Sequence, residues 1–288
     1  MSVPQESEDE ALDIHDPYLW LPSRYNGHIF RLRGSEERWQ CGPILREGVR
    51  HTRTDFDDVS EVCGICNVTL LDGAQAGLKA MLKIHVQIPD GRDTRDELYP
   101  GRDYSKFRSE ELSWEAETEF VMLEHLTKKG CKSVPHLIGY SVDKQPKDGY
   151  VPGGYIVYVI MEKVPGHDLW DFGKYPLEKR DQIRIAFGKA IREFYLHGCQ
   201  HLDPRRSNVI WDEATNRCWI VDMEHVDFAD PPVKFKPFRE WSIWGLSRQE
   251  VMDNTDDETV RETWEECSSD EALESFLIKP TQASDQEG

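Results

Sequence analysis

The sequence has no long apolar run: the longest, Tyr155 to Met161, is far too short to cross a bilayer. The first residues are acidic and lack the cationic start and apolar centre of a signal peptide, so the expectation is a soluble, cytoplasmic protein that contacts no membrane. Cysteine lacks rhythm. The seven cysteines are odd in number and scattered, which excludes a disulfide scaffold and agrees with a reducing compartment. The one close pair, Cys63-Gly-Ile-Cys66, has no second pair at zinc-site spacing and reads as ordinary strand thiols. There is no internal repeat and no low-complexity tract.

Positive charge is also scarce, with 35 Lys and Arg against 54 Asp and Glu and a net charge of -19. The excess sits at the ends. Residues 1–16 hold six acids and no Lys or Arg, and residues 250–288 hold thirteen acids against Arg261 and Lys279, so residues 17–249 carry only -2. A nearly neutral body gives no sign of a basic face, so no nucleic-acid partner is expected. The acidic ends read as solubilising.

Taken in order, residues 1–16 have no apolar periodicity and are expected to be disordered. From Pro17 to Gly48 aromatic residues alternate with Gly and Pro, the pattern of short strands and turns packed on a body. Val59–Leu71 and Leu78–Ile88 are β-branched, apolar runs separated by Asp72-Gly-Ala-Gln-Ala-Gly77, which predicts a hairpin. In its second strand Met81, Lys83 and His85 share one face and Leu82, Ile84 and Val86 the other. A lysine between buried positions needs an anionic partner or a path to water. Residues 90–107 read as a mobile, charged loop. Ser109–Lys129 reads as an amphipathic helix carrying Glu115, Glu117, Glu119 and Glu124, with Glu119 near the edge of its apolar stripe. Tyr155–Glu162 is a strand that passes at Glu162-Lys163-Val164 into an irregular connector. Leu177–Leu196 is a second amphipathic helix, ended by His197-Gly198. Val209–Trp211 and Cys218–Val221 flank a turn, and Thr255–Glu258 and Ser268–Glu271 fit capping boxes of two short C-terminal helices.

The chemistry gathers between residues 197 and 224. Asp203 and Asn208 lie five apart in an irregular segment, and Asp222 follows the hairpin that folds the chain back. Their carboxylate and amide oxygens are ligands of the kind Mg²⁺ takes, with phosphate oxygens and water completing its octahedron.

The ordered set His201-x-Asp203-x-x-x-x-Asn208, a hairpin, then Asp222, resembles the catalytic loop and metal-binding segment of the protein-kinase-like superfamily. His-Gly-x-x-His-x-Asp at 197–203 and the hydrophobic-Asp-x-Glu at 221–224 are most similar to aminoglycoside phosphotransferases and choline kinases. Arg205, two residues after Asp203, is similar to fungal kinase-like proteins with a His-x-Asp-x-Arg-x-x-Asn loop. The resemblance spans about residues 59–226. It implies an α+β, two-lobed protein-kinase-like fold, with a small antiparallel-sheet N-lobe at 17–162 and a reduced, mainly helical C-lobe at 163–247. An acidic segment with two short helices follows at 248–288.

The same resemblance implies roles. Asp203 is the catalytic base on an acceptor hydroxyl, and Arg205 neutralises the transferring group. Asn208 and Asp222, with Glu224 as a further contact, hold Mg²⁺. Lys83, paired with Glu119, grips the phosphates of ATP, and the backbone of Glu162, Lys163 and Val164 meets the adenine. His201 is a brace without proton transfer. Lys79, four residues earlier on the same face, remains an alternative to Lys83, and Glu115 and Glu117 compete with Glu119. The family's Gly-x-Gly-x-x-Gly loop is missing, Gly48 and Gly64 being isolated, and no Phe-Gly or Ala-Pro-Glu follows Asp222. The implied function is an ATP- and Mg²⁺-dependent phosphotransferase acting on a hydroxyl of a small molecule or protein, the alternative being a pseudokinase that binds nucleotide or a partner protein without transfer.

Overall fold

The computed structural model describes residues 12–13, 16, 18–51, 59–90, 98, 101–247, 267 and 269–278. The chain divides into two compact units, the first comprising residues 1–121 and 136–163 and the second residues 122–135 and 164–288.

The first unit is built on one curled antiparallel sheet. Strands β1 (Ile29–Phe30), β2 (Trp39–Arg50), β3 (Glu61–Leu70), β4 (Lys79–Gln87), β5 (Leu137–Lys144) and β6 (Tyr155–Glu162) form it in the order β1-β2-β3-β4-β6-β5. The β3–β4 hairpin closes over Asp72–Gly77, with the Leu70 amide donating to the Leu78 carbonyl and the Gly77 amide to the Leu70 carbonyl. Its alternation decides its two faces. Ala80, Leu82, Ile84 and Val86 are fully buried on one face, in a core with Val62, Cys66, Val68, Ile156, Tyr158 and Ile160. Each large aliphatic side chain so buried contributes about 1.5–3 kcal/mol.

The aromatic segment before β2 covers this same core. Trp20, Leu21, Tyr25 and Phe30 pack into it, and Gly64 is required because a Cβ there would lie 2.3 Å from Leu21 Cδ1. The short helix α1 (Pro22–Tyr25) is anchored at its start by Glu47, whose two carboxylate oxygens accept the Trp20 and Leu21 amides at 2.7 and 2.8 Å. Strand β2 pairs with β3 but slips register on either side of Ile44. Gly42-Pro43 lies at the first slip, where proline has no N–H to give the ladder.

Helix α2 (Trp114–Lys129) begins five residues later than its periodicity suggests, because Ser113 rather than Ser109 caps it. The Ser113 hydroxyl accepts the Ala116 amide at 3.1 Å, while Ser109 closes a local turn with Glu111. The first turns of α2 belong to the first unit and the remainder to the second. Half of the loop expected at 90–107 lies outside the described residues, and its end forms a 3-10 turn at Ser105–Phe107. The disorder expected at 1–16 also falls mostly outside them; the Leu12 amide donates to the Ile44 carbonyl.

The second unit corrects the expected fold class. A kinase-like fold with a small sheet and a mainly helical C-lobe is not what the chain forms: antiparallel sheet dominates, and the described residues contain five helices. Beside α3 (Leu177–Leu196) the second unit holds two further sheets. Strands β7 (His167–Asp168), β9 (Val209–Asp212) and β10 (Arg217–Ile220) make one, and β8 (Cys199–His201) with β11 (Val226–Phe228) the other. The reason is local. Between α3 and Phe228 the chain consists of short β-branched and aromatic runs broken by turns, and Asp230-Pro231-Pro232 then prevents a helix. Only the seven-residue α4 (Pro237–Ile243) follows before Leu246.

The first expected C-terminal helix falls outside the described residues. The second is α5 (Asp270–Ile278), capped by Ser269 through the Ala272 amide at 3.1 Å. It packs on α3, where Leu273 is fully buried against Gly188, and Arg192–Asp270 and Lys189–Glu274 ion pairs flank the contact. Among the described residues no helix is long and apolar enough to cross a membrane.

Candidate functional site

In the second unit, α3 ends at His197, and Gly198 at φ +74° turns the chain into β8. After β8 the backbone leaves regular structure at Leu202, and a 3-10 turn at Arg206–Asn208 returns it to β9. The β9–β10 turn is held by Asp212, which accepts the Ala214 amide, and by Asn216, which accepts from Trp211 Nε1 at 3.0 Å. This hairpin pairs Val209 with Ile220 and brings the Val221 amide to the Asn208 carbonyl at 3.0 Å, so Asp222 is delivered beside Asn208.

His201 braces the loop with both ring nitrogens. Nε2 donates to the Val221 carbonyl at 3.2 Å, and Nδ1 accepts the Asp203 amide at 3.2 Å. Burial lowers its pKa, which keeps the ring neutral in this tautomer. It has no proton to offer a substrate.

Arg205 is the hub of the cluster. Its guanidinium lies 2.8 Å from Asp203 Oδ2 and 3.6 Å from Asp222 Oδ2, and its Nε donates to Asn208 Oδ1 at 3.3 Å. The Asn208 amide nitrogen in turn donates to the Asp203 carbonyl at 3.1 Å, which fixes the oxygen of that side chain towards Arg205. Asp222 sits at φ +72°, ψ +65°, a left-handed conformation that costs a non-glycine residue on the order of 1–3 kcal/mol. Such strain persists only where the surroundings over-determine it, as the hairpin does here.

Carboxylate oxygens of Asp203 and Asp222 and a ring nitrogen of His225 lie within 4.8 Å of one another, and Glu224 offers an oxygen within the same distance of Asp222. Asp203, Asn208 and Asp222 present hard oxygen donors converging on one positive centre, a donor set that fits Mg²⁺. Residue-type reasoning did not single out His225. Its signal is its place three residues after Asp222, in the 3-10 turn Met223–His225.

In the first unit, Lys83 and Glu119 form a buried ion pair with Nζ 2.9 Å from Oε2 and side chains only 5% and 1% exposed. Lys79 is exposed and donates to Thr69 Oγ1 at 2.8 Å, and Glu117 is exposed and Glu115 half-buried, so geometry separates the lysine and glutamate alternatives. Glu162 and Lys163 are exposed at the end of β6 and Val164 is half-buried. Glu162 pairs with Ala80, and Lys83 with Val159, so Glu162 stands three rungs, about 10 Å, from the ion pair along the sheet.

A second buried polar group on this sheet escaped the sequence reading. Glu61 is fully buried and accepts four partners: His85 Nδ1 at 3.1 Å, Arg50 at 3.0 Å, the Ser113 hydroxyl at 2.7 Å and the Tyr155 hydroxyl at 2.8 Å. Burial alone would raise its pKa, but the charge and hydrogen bond of His85, then Arg50 and Ser113, outweigh it and bring the carboxyl down to about 2. His85 moves oppositely. Burial would lower it, but Cys63 and Glu61 hold it up at about 10. The only sequence trace was His85 sharing a strand face with Lys83. Cys63 and Cys66, three apart on β3, point to opposite faces, Cys66 into the core, so they cannot chelate together.

No protein-family model and no curated protein matches this chain.

Proposed function

We propose that the protein is an ATP- and Mg²⁺-dependent phosphotransferase that moves a γ-phosphoryl group to a hydroxyl of a small molecule or a protein. The observation that carries this reading is the convergence of Asp203, Asn208 and Asp222 oxygens on the Arg205 guanidinium. Hydroxyl phosphorylation needs a base placed on the acceptor, oxygen ligands for a dication, and a cation for the transferring group, with little covalent help. Asn208 and Asp222 would hold Mg²⁺, which supplies charge neutralisation to the phosphates when bound. Asp203 orients the acceptor hydroxyl and takes its proton. Arg205, half-exposed and already among these oxygens, neutralises the phosphoryl group as it moves.

The buried Lys83–Glu119 pair supports the reading independently, because a desolvated lysine braced by a carboxylate is a suitable anchor for nucleotide phosphates. Glu224 contributes a further metal contact, and the backbone of Glu162 to Val164 receives the adenine.

Arg205 also favours a second reading. Its guanidinium is itself a countercharge for Asp203 and Asp222, which is what a nucleotide-binding or protein-interaction scaffold without transfer would require. Turnover separates the two. Mg²⁺-dependent hydrolysis or transfer from ATP by the full chain, lost in Asp203→Ala while nucleotide binding is retained, supports transfer. Turnover unchanged in Asp203→Ala overturns the mechanism, and no turnover in wild type supports the scaffold.

A further inference from the structure

Two helix C-termini meet at one place in the second unit, at the end of the helix that leads into the Asp203 loop. Helix α2 closes with the Gly130 amide on the Thr127 carbonyl and the Cys131 amide on the Leu126 carbonyl, both at 3.0 Å. Helix α3 closes with the His197 amide on Phe194 at 3.1 Å and the Gly198 amide on Tyr195 at 2.9 Å. The two ends are tied together. The Glu193 carboxylate accepts the Lys132 amide at 2.8 Å, and His125 Nε2 meets the His197 carbonyl at 3.3 Å.

At this junction Cys131 Sγ, a Glu193 carboxylate oxygen and a His197 ring nitrogen lie within 4.8 Å of one another. We propose that Cys131, Glu193 and His197 form a Zn²⁺-binding site. Zinc bonds of about 2.0–2.3 Å in a tetrahedron set ligand atoms about 3.3–3.8 Å apart, so the three donors close by at most about 1–1.5 Å on the ion.

The donors suit zinc in chemistry as well as in spacing. His197 Nδ1 donates to the Glu193 carbonyl at 2.8 Å, which leaves the lone pair on Nε2 and fixes the ring as the outer-sphere partner of a metal-bound histidine does. One thiolate, one carboxylate and a neutral imidazole balance a dication, and the carbonyl ends of two helices add negative potential. A thiolate selects zinc over Mg²⁺ or Ca²⁺. The Ser133 hydroxyl, 3.3 Å from Cys131 Sγ, stabilises the sulfur in its charged form. In the free protein burial keeps Cys131 protonated, so binding breaks its S–H bond, forms Zn–S and releases the proton to solvent. The neighbouring Cys199 stays a thiol, pushed up to about 12 by burial and by Cys131. Three protein donors leave the fourth zinc position to water or an outside ligand.

Co²⁺ titration of the full chain, reduced and stripped with chelator, tests the site. The expected result is a sulfur-to-cobalt charge-transfer band that saturates at one ion per chain, disappears on adding Zn²⁺ and is absent in Cys131→Ser. Glu193→Gln keeps an oxygen for the Lys132 amide and so keeps the fold, but weakens Co²⁺ binding by at least about tenfold. Asp222→Asn leaves the band unchanged, which separates this site from the oxygen cluster of the proposed transferase. A band that survives in Cys131→Ser, is lost instead in Cys63→Ser, or is equally tight in Glu193→Gln overturns the proposal, as does a folded wild type that shows none.

Discussion

Replacing Arg205 with methionine removes the guanidinium from between Asp203 and Asp222 but leaves the aliphatic bulk of the stem. The arginine side chain is 55% exposed, and its contacts to the two carboxylates are 2.8 and 3.6 Å. Partly exposed pairs of this kind are worth about 0–1 kcal/mol each after solvent screening, so together Asp203 and Asp222 lose up to about 2 kcal/mol of compensation. That loss applies to the metal-free protein alone, since a bound dication replaces the arginine as the countercharge. Mg²⁺ is therefore expected to bind Arg205→Met more tightly than wild type, by up to about 30-fold on the usual conversion of free energy to affinity. Turnover is expected to move the other way. An arginine that neutralises a transferring phosphoryl group is worth about 10³–10⁵ in rate, and Arg205→Met falls by a factor in that range if Arg205 has this role. Calorimetric titration with Mg²⁺ at low salt, beside an ATP turnover assay on the same preparations, reads both quantities. Mg²⁺ affinity that is weaker in Arg205→Met would refute the reasoning, because the guanidinium would then not compete for these oxygens.

Two further outcomes are expected. Glu61→Gln removes the anion facing buried His85, and stability, measured by urea unfolding, is expected to fall by about 3–5 kcal/mol near pH 5. The sign follows from linkage: Glu61, lowered to about 2, contributes above its unfolded range and loses that contribution as pH falls through about 2. His85, raised to about 10, contributes below its unfolded range and loses it as pH rises through about 10, so the difference between the two proteins shrinks in alkali. A pH-independent difference would count against the pair. Leu273→Ala empties the slot over Gly188 and is expected to cost about 2–5 kcal/mol of local stability, seen as faster amide exchange in α5. The Arg192 and Lys189 ion pairs add little at the surface, so 1 M salt, a condition of about 3 Å screening length, is expected to leave that exchange nearly unchanged.

Much of the local structure was legible in the residues. Alternation in 61–70 and 79–87, with glycines between them, specified the β3–β4 hairpin because a half-buried strand has period two whatever surrounds it. The apolar spacing of 177–196 and the glycine at 198 specified α3 and its end for an equally local reason. The spacing Asp203, Asn208, Asp222 was also sufficient to place three oxygens together, since one short hairpin joins them. That spacing did not specify the whole fold. A short motif constrains a few turns of chain, and the β-branched runs around it were free to build two small sheets where a helical lobe was expected.

The sequence by itself determined the β3–β4 hairpin, the β6 strand, the β9–β10 hairpin, the two long helices, the acidic ends and the oxygen cluster, because period, turn chemistry and short connections act over a few residues. Tertiary structure alone decided that Lys83 rather than Lys79 meets Glu119, that Glu61 is buried among Arg50, His85, Ser113 and Tyr155, and that Cys131 lies beside Glu193 and His197. Each of these joins residues from separate elements, and the distance between such residues is set by how strands register and helices end against one another, which no local pattern encodes.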